Sequence, residues 1–456
     1  MPGRGDSARD GQLLRAVLAG NFPAVRKLVK SGVSANGNRQ VMQDTPLLVA
    51  STRGEVMIAE FLIGAGADVE VGYLEDQHER GQNLPTKGMR PLHVAATPEM
   101  AALLLRKGAD PNARDASRYT PLMVASRSED PRAVAVLREL LNGCADPRLS
   151  ARDGAIALFF AINVGNTASI KELLARAPET INHAAVRDGM TPLCLAATAG
   201  RVEVIELLLS RGATNRAALQ TLGMPTPACP LLVAVIGRKE EAARCIVEKG
   251  IEAVGGFGSV SSALFAAVGQ SGPPNMLRML LAAAGEDRQA YWTRFPHGGI
   301  YLLHFAAAYN SVKAVDILLR AGASETVADA HGRDAIGAVG SQAGAPNAVV
   351  FDQNPRGPSR VRDPVKEAVI RRMLRQGPAY RARSWAWPTS VRKNGSPAPL
   401  GTIGSAAPDG ISAAAKVMHP NSGSTNMSLS VAVRIHRPTG PSFFPRVALY
   451  RYTHKL

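Results

Sequence analysis

One segment, DGMTPLCLAATAGRVEVIELLLSRGA from Asp188 to Ala213, recurs in variant form along most of the chain and constrains the fold more than any other feature. Thr191 and Pro192 predict a helix start, because a threonine hydroxyl caps free N–H groups and the fixed φ of proline suits the first turn. Gly200 and Gly212 predict the ends of two successive short helices. Each helix is apolar on one face only, so the copies have to stack on one another.

The recurrence is traced by the leucine that follows each helix start. The equivalent leucines are Leu13, Leu47, Leu92, Leu122, Leu158, Leu193, Leu231, Leu264 and Leu303. Their mean spacing is about 36 residues, against about 33 for an ideal ankyrin unit. The motifs TPLLVA from Thr45, RPLHVAA from Arg90 and TPLMVA from Thr120 recur in register. Residues 11–335 therefore resemble the ankyrin-repeat family, which implies an all-α solenoid of about nine helix-turn-helix units.

Composition divides the rest of the chain. We expect a disordered N-terminus at residues 1–10, a loop and a C-terminal capping helix within 336–377, and a basic, disordered tail at 378–456. DPVKEAVIRRMLRQGP has Asp363 as helix cap, and we expect its apolar side chains to close the stack; these are Val365, Val369, Ile370 and Leu374. Within the tail, VAVRIHR from Val431 and RVALYRY from Arg446 leave a small hairpin as the alternative to disorder.

Two irregularities interrupt the array. The segment VGYLEDQHERGQNLPTKG, residues 71–88, is an insertion between units, and both a functional loop and a tolerated surface loop remain open. The following unit is short, because TPEMAALLLRKG from Thr97 to Gly108 lacks about three residues of a standard unit. We expect a tight turn with local distortion there.

The net charge of +16 is not spread evenly. Residues 1–353 carry 36 basic and 34 acidic residues, residues 354–377 carry 7 and 2, and residues 378–456 carry 10 and 1. A basic segment with tryptophans can bind phosphate and stack on bases. Binding of nucleic acid or an acidic surface by the C-terminal segment is therefore the alternative function.

Catalytic and cofactor motifs are not found in the sequence. No phosphate loop, zinc spacing or nucleophile elbow occurs, so we expect no enzyme, cofactor, metal site or small-molecule substrate. His93 and His304 follow the helix starts, where the resemblance implies a hydrogen bond between neighbouring units. Apolar runs are shorter than the roughly 20 residues of a membrane span. The four dispersed cysteines indicate reduced thiols and a cytoplasmic or nuclear protein.

The resemblance implies a protein-protein interaction scaffold or adaptor that grips an unidentified protein with its concave face and finger loops. By analogy with the variable positions of the family, we expect exposed contact residues in the fingers and first helices. They are Tyr119, Arg127, Arg187, Met190, Thr198 and Tyr309. Tyrosine and arginine are frequent anchors of interfaces. An ordinary surface role for these six residues is the alternative.

Overall fold

The computed structural model describes most of the array and selected parts of the C-terminal region. The described residues are 4–37, 45–74, 87–185, 189–214, 229–250, 257–269, 274–284, 301–329, 332–340, 363–377, 379, 430–436 and 446–452. The chain divides into two compact units, Met1–Ser259 and Val260–Leu456. Each unit is described by itself.

The first unit consists of short helices in pairs. The first helices of the pairs are α1 (Arg4–Leu18), α3 (Pro46–Arg53), a 3₁₀ helix (Pro91–Val94), α6 (Pro121–Ser126), α8 (Ala157–Val164), α10 (Pro192–Ala199) and α12 (Pro230–Ile236). The second helices are α2 (Phe22–Lys30), α4 (Val56–Gly64), α5 (Pro98–Arg106), α7 (Pro131–Asn142), α9 (Thr167–Arg176), α11 (Val202–Ser210) and α13 (Glu240–Gly250). Each first helix packs on the next first helix, and each second helix packs on the next second helix. The predicted all-α repeat class is confirmed.

Threonine and proline start the regular units as the sequence predicts. The hydroxyls of Thr45, Thr120 and Thr191 accept hydrogen bonds from the N–H group three residues further on, at 3.2, 3.4 and 3.3 Å. A proline follows each threonine, where its missing N–H costs nothing. In α11, Leu208 is fully buried, as predicted. The stacked pairs therefore bury a continuous apolar core within this unit.

Asparagine side chains tie the end of one unit to the next. Their Oδ1 atoms each accept a backbone hydrogen bond of 2.8 Å, joining Asn36 to Asp68, Asn112 to Asp146 and Asn182 to Thr214. The partners lie about one repeat further along the chain. Each bond therefore exists only while neighbouring units are stacked.

The shortened unit departs from the others at its first helix. Arg90 stands where other units have threonine, and the chain forms the 3₁₀ helix instead of an α-helix. The Arg90 N–H donates to Nδ1 of His93 at 3.1 Å, and the His93 N–H, which a threonine hydroxyl would bind in other units, donates to the Arg90 carbonyl at 2.9 Å. Ala96 N–H then donates to the Ser51 carbonyl of the preceding unit at 3.1 Å. The predicted tight, distorted turn is confirmed.

The insertion before this unit closes on itself at its base. Tyr73 N–H donates to the Met89 carbonyl at 3.0 Å, and Gly88 N–H donates to the Tyr73 carbonyl at 2.8 Å. The Tyr73 and Met89 side chains are buried together against Leu48. Residues 75–86, which form the rest of the insertion, lie outside the described residues. The insertion therefore begins and ends at one packed point.

The second unit contains five helices, of which the first begins three residues before the boundary at Val260. They are α14 (Phe257–Gly269), α15 (Pro274–Ala283), α16 (Leu302–Ala308), α17 (Val312–Arg320) and α18 (Pro364–Arg375). Asp363 caps α18 by accepting from Lys366 N–H at 3.1 Å, and α18 packs on α17. Ile370 and Leu374 are buried as expected. Val365 and Val369 are 71% and 42% exposed, so their predicted burial was wrong. The reason is that α18 turns only its Ile370, Met373 and Leu374 side towards α17.

The C-terminal region contains a two-stranded antiparallel hairpin. Strand β1 (Ser430–His436) pairs with β2 (Arg446–Tyr452), with Val433 opposite Leu449. For these two segments the structure has the hairpin rather than disorder. The other residues predicted to form a disordered tail lie outside the described part of the chain.

Candidate functional site

Two histidines join neighbouring repeats instead of forming a catalytic site. Nε2 of His93 lies 3.1 Å from the Tyr119 carbonyl oxygen, and Nε2 of His304 lies 2.9 Å from the Arg333 carbonyl oxygen. Burial lowers the pKa of His93 to about 4 and also lowers the pKa of His304. Both rings are therefore neutral hydrogen-bonding groups near pH 7, which confirms the role that the family resemblance implies.

Tyr119 and Arg127 lie together, but not as two exposed anchors. Tyr119 is only 8% exposed and packs edge to face on Phe160, with ring centroids 5.4 Å apart. The Arg127 guanidinium is half-buried, 5.9 Å from the Tyr119 ring centroid. Burial raises the pKa of the Tyr119 phenol and lowers the pKa of Arg127. Tyr119 thus supports Arg127, and its predicted exposure was wrong because α8 of the next unit covers the ring.

The other predicted contact residues are dispersed. Met190 and Thr198 are buried, at 5% and 9% exposure, so their predicted exposure was also wrong. The Thr198 hydroxyl is used within α10, donating to the Cys194 carbonyl at 2.9 Å. Tyr309, in the second unit, is half-buried beside Phe305 with ring centroids 4.3 Å apart. Arg187 lies outside the described residues.

The finger before α6 is held in one conformation by Asp115. This carboxylate is buried, and its Oδ1 accepts from the N–H groups of Ser117 and Tyr119 at 2.9 and 2.7 Å. Asp115 N–H in turn donates to the Tyr119 carbonyl at 3.0 Å. Because its lone pairs are used by backbone groups, Asp115 acts mainly as a turn residue. The finger therefore positions Tyr119, and through it Arg127.

Three consecutive fingers each present an exposed basic side chain. We call Lys87, Arg118 and Arg152 the fingertip row; all three are exposed. Backbone bonds hold the fingers side by side, from Ala116 N–H to the Lys87 carbonyl at 2.9 Å and from Arg152 N–H to the Ser117 carbonyl at 3.4 Å. The sequence pattern alone did not lead us to expect this row. The signal was present, since each basic residue lies at, or within two residues of, the position that glycine occupies in other fingers.

One further depression lies on the second helices of the first unit. It is an open groove of about 580 Å³ between α9, α11 and α13, lined by charges of both signs. Lys249 of this groove pairs with Glu206 at 2.6 Å. In the described part of the chain, no three His, Cys, Asp or Glu side chains are placed to hold a metal ion. Among the same residues, no helix combines the length and apolar character that crossing a membrane requires.

Parts of this chain are similar in sequence to known ankyrin-repeat proteins. Residues 122–218 match the family description "Ankyrin repeats (3 copies)", and residues 87–116 match "Ankyrin repeat". The mouse (Mus musculus) B-cell lymphoma 3 protein homolog is 30% identical over 133 residues, covering 28% of this chain and 30% of that protein. Ankyrin repeat domain-containing protein SAT10 of Stachybotrys chartarum (30% identity) covers 45% of this chain and 10% of that protein. Human (Homo sapiens) Rabankyrin-5 (30% identity) covers 37% of this chain and 14% of that protein. The chain thus spans less than a third of each of these relatives.

Proposed function

We propose that this chain, whose residues 87–116 and 122–218 match ankyrin repeats, is a protein-protein interaction module that works as a non-enzymatic scaffold or adaptor for a protein partner. The binding face that we propose consists of the first helices and fingers around Arg127. A location in the cytoplasm or nucleus belongs to the same proposal, because it suits the four free cysteines.

The observation that carries this proposal is the position of Arg127. Its guanidinium is half-buried and lies 5.9 Å from the centroid of the Tyr119 ring. Phe160 packs on that ring, and Asp115 accepts a hydrogen bond from the Tyr119 backbone N–H. An arginine that is already ordered loses less conformational entropy on binding than a freely moving one. Arginines in such settings are common energetic centres of interfaces. The rigid finger thus supplies a pre-oriented cation with an aromatic support.

Affinity purification with matched variants tests the proposed face. Arg127→Ala in the full chain is compared with Arg211→Ala, which removes an exposed arginine after α11. We expect a partner recovered by the unmodified chain to be retained by Arg211→Ala and weakened by Arg127→Ala, by about 2 kcal/mol or roughly thirtyfold in Kd. Circular dichroism melts check that both variants fold. Equal recovery of the same partner by both variants would show that the face is wrongly assigned.

Nucleic-acid binding by the C-terminal segment is the second candidate, favoured by the 10 basic and 1 acidic residues of 378–456. If it holds, the logarithm of the DNA affinity falls with the logarithm of salt, with a slope of roughly 0.9 per phosphate neutralised. The full chain and a chain that ends at Gly377 are titrated with duplex DNA at two salt concentrations. DNA binding that survives the truncation contradicts the assignment to the tail.

A further inference from the structure

The loop that follows α17 repeats the hydrogen bonds of the finger that precedes α6. Oδ1 of Asp329 accepts from the Arg333 N–H at 3.0 Å, and the Asp329 N–H donates to the Arg333 carbonyl at 2.8 Å. The corresponding bonds between Asp115 and Tyr119 are 2.7 and 3.0 Å long. The residue before Arg333 and the residue before Tyr119 both have a positive φ, of +71° and +66°. The described residues of this loop therefore have the conformation of a finger between two repeats.

A helical turn follows this finger, where a repeat would have its first helix. Oδ1 of Asp334 accepts from the Gly337 N–H at 2.7 Å, in the same way as a threonine hydroxyl caps α6. The Ala338 N–H then donates to the Asp334 carbonyl at 3.1 Å, which is the bond of an α-helix. Ile336 lies 33 residues after Leu303, and an ideal ankyrin unit has about 33 residues. The turn at 334–340 therefore stands in the place of a first helix.

Helix α18 has the position of the second helix that would belong to this turn. It packs on α17, as each second helix of the array packs on the next. Nη2 of Arg371 donates to the Val339 carbonyl at 3.3 Å. The Glu367 carboxylate lies so close to Gly340 that a Cβ there would be 2.7 Å from Oε1. The turn and α18 are therefore in direct contact, like the two helices of one repeat.

The exposure of Val369 shows where the stack of second helices ends. Val369 lies eight residues before the glycine that follows its helix, and Met100, Val204 and Ala314 have the same position in α5, α11 and α17. Each of these three helices packs on the second helix that follows it, and the three residues are 0, 1 and 5% exposed. Val369 is 42% exposed, as expected in the terminal repeat of a stack.

We infer that the finger ending at Arg333, the turn at 334–340 and α18 form one further repeat, the split repeat, whose two halves are separated by residues 341–362. Those intervening residues lie outside the described part of the chain. The array thus continues to α18, whereas the sequence pattern leads us to expect its end near residue 335 and a separate capping helix. The inner face offered to a partner then extends to the turn at 334–340, a consequence that rests on the proposed function.

Hydrogen exchange of the full chain, followed by mass spectrometry or NMR, tests whether the turn and α18 open together. Asp334→Ala removes only the cap of the turn. In one repeat this should speed exchange about fivefold at Gly337 and Ala338 and also at Ile370 and Leu374 of α18, because the loss of one cap weakens the whole cooperative unit. Asp334→Asn keeps an oxygen acceptor and should restore the rates of the unmodified chain.

A matched control removes a cap in a distant repeat. Asp130 caps α7 by accepting from the Arg132 N–H at 2.8 Å, so Asp130→Ala should leave exchange in residues 334–377 unchanged.

Faster exchange in the turn of Asp334→Ala with unchanged α18 would overturn the inference, because α18 would then be an independent cap on α17. The inference also fails if no amide changes, if Asp334→Asn exchanges as fast as Asp334→Ala, or if Asp130→Ala has the same effect. None of these measurements involves a partner or Arg127. The comparison of Arg127→Ala with Arg211→Ala therefore tests the proposed function separately.

Discussion

Lowering the pH should destabilise the repeat array around His93, because both nitrogens of its neutral ring form hydrogen bonds. Nδ1 accepts from Arg90 N–H at 3.1 Å, so the proton lies on Nε2, which donates to the Tyr119 carbonyl at 3.1 Å. A second proton would set Nδ1–H against Arg90 N–H inside a site where His93 is only 4% exposed. Burial, the largest cause, lowers the pKa of His93 from 6.5 to about 4. Protonation therefore has to break the bond to Arg90.

The change in the free energy of unfolding with pH follows from the pKa of His93 in the unfolded chain, 6.5, and in the folded chain, about 4. The unfolded chain binds the proton more tightly, so the stability that neutral His93 provides is complete above pH 6.5 and is lost as the pH falls towards 4. From these values the free energy of unfolding decreases by about 2 kcal/mol between pH 7 and pH 5. The loss should centre on the 3₁₀ helix and α6, since contacts in a repeat array link nearest neighbours.

Denaturant unfolding of the full chain and of His93→Gln at several pH values measures this difference. The glutamine amide keeps a donor for the Tyr119 carbonyl but does not titrate, so the variant should be less stable at pH 7 yet lose about 2 kcal/mol less on acidification. Taking the difference between the two proteins cancels the titration of carboxylates and of His304. Parallel pH profiles for the two proteins would refute the argument, as would exchange protection at Tyr119 that does not change with pH.

Three further changes test the packing of the array. Leu208→Ala should cost about 2 to 5 kcal/mol, with hydrogen-exchange protection lost mainly in flanking units; uniform loss along the array would contradict nearest-neighbour stacking. Cys144→Gly should stabilise by about 0.5 to 1 kcal/mol in thermal melts, because Cys144 has φ of +66° where most second helices end in glycine. Asn112→Ala should cost about 1 to 2 kcal/mol and speed exchange of the Asp146 amide, which loses its 2.8 Å acceptor; an unchanged rate would show that this bond does not hold the units together.

The sequence predicts those features that depend on one unit alone. Thr191 and Pro192 specify a helix start by local chemistry, and Gly212 specifies an end because of its φ of +82°. Asp363 likewise predicts the cap of α18. The distortion of the shortened unit could also be predicted, because a unit that lacks about three residues has to connect its two helices by a tighter turn. The hydrogen bond from Arg90 N–H to Nδ1 of His93 was not predictable, because it depends on how the 3₁₀ helix places the ring.

The solvent exposure of the expected contact residues could not be predicted from the sequence, because it depends on which side chains of the neighbouring unit pack on them. Tyr119 and Met190 both precede a helix start, where family analogy predicts contact with a partner, but their side chains are buried. For Tyr119 the cover is Phe160, a large residue in the first helix of the next unit. The repeat pattern therefore predicts where a side chain lies within its own unit. Its exposure to solvent can be predicted only if the size of the side chain that packs on it from the next unit is also known.

In this array Arg118, Cys144 and Arg238 have a positive φ although none of them is glycine. At a position that needs positive φ, a repeat family gains most stability from glycine, so any other residue there reduces stability unless its side chain contributes something else. Arg118, Cys144 and Arg238 all occupy such positions, at φ of +66°, +66° and +54°. Only Arg118 lies in a row of exposed basic residues linked by backbone bonds between fingers. Because glycine adopts a positive φ freely, replacement of any of the three by glycine should raise the free energy of unfolding by about 0.5 to 1 kcal/mol in thermal melts.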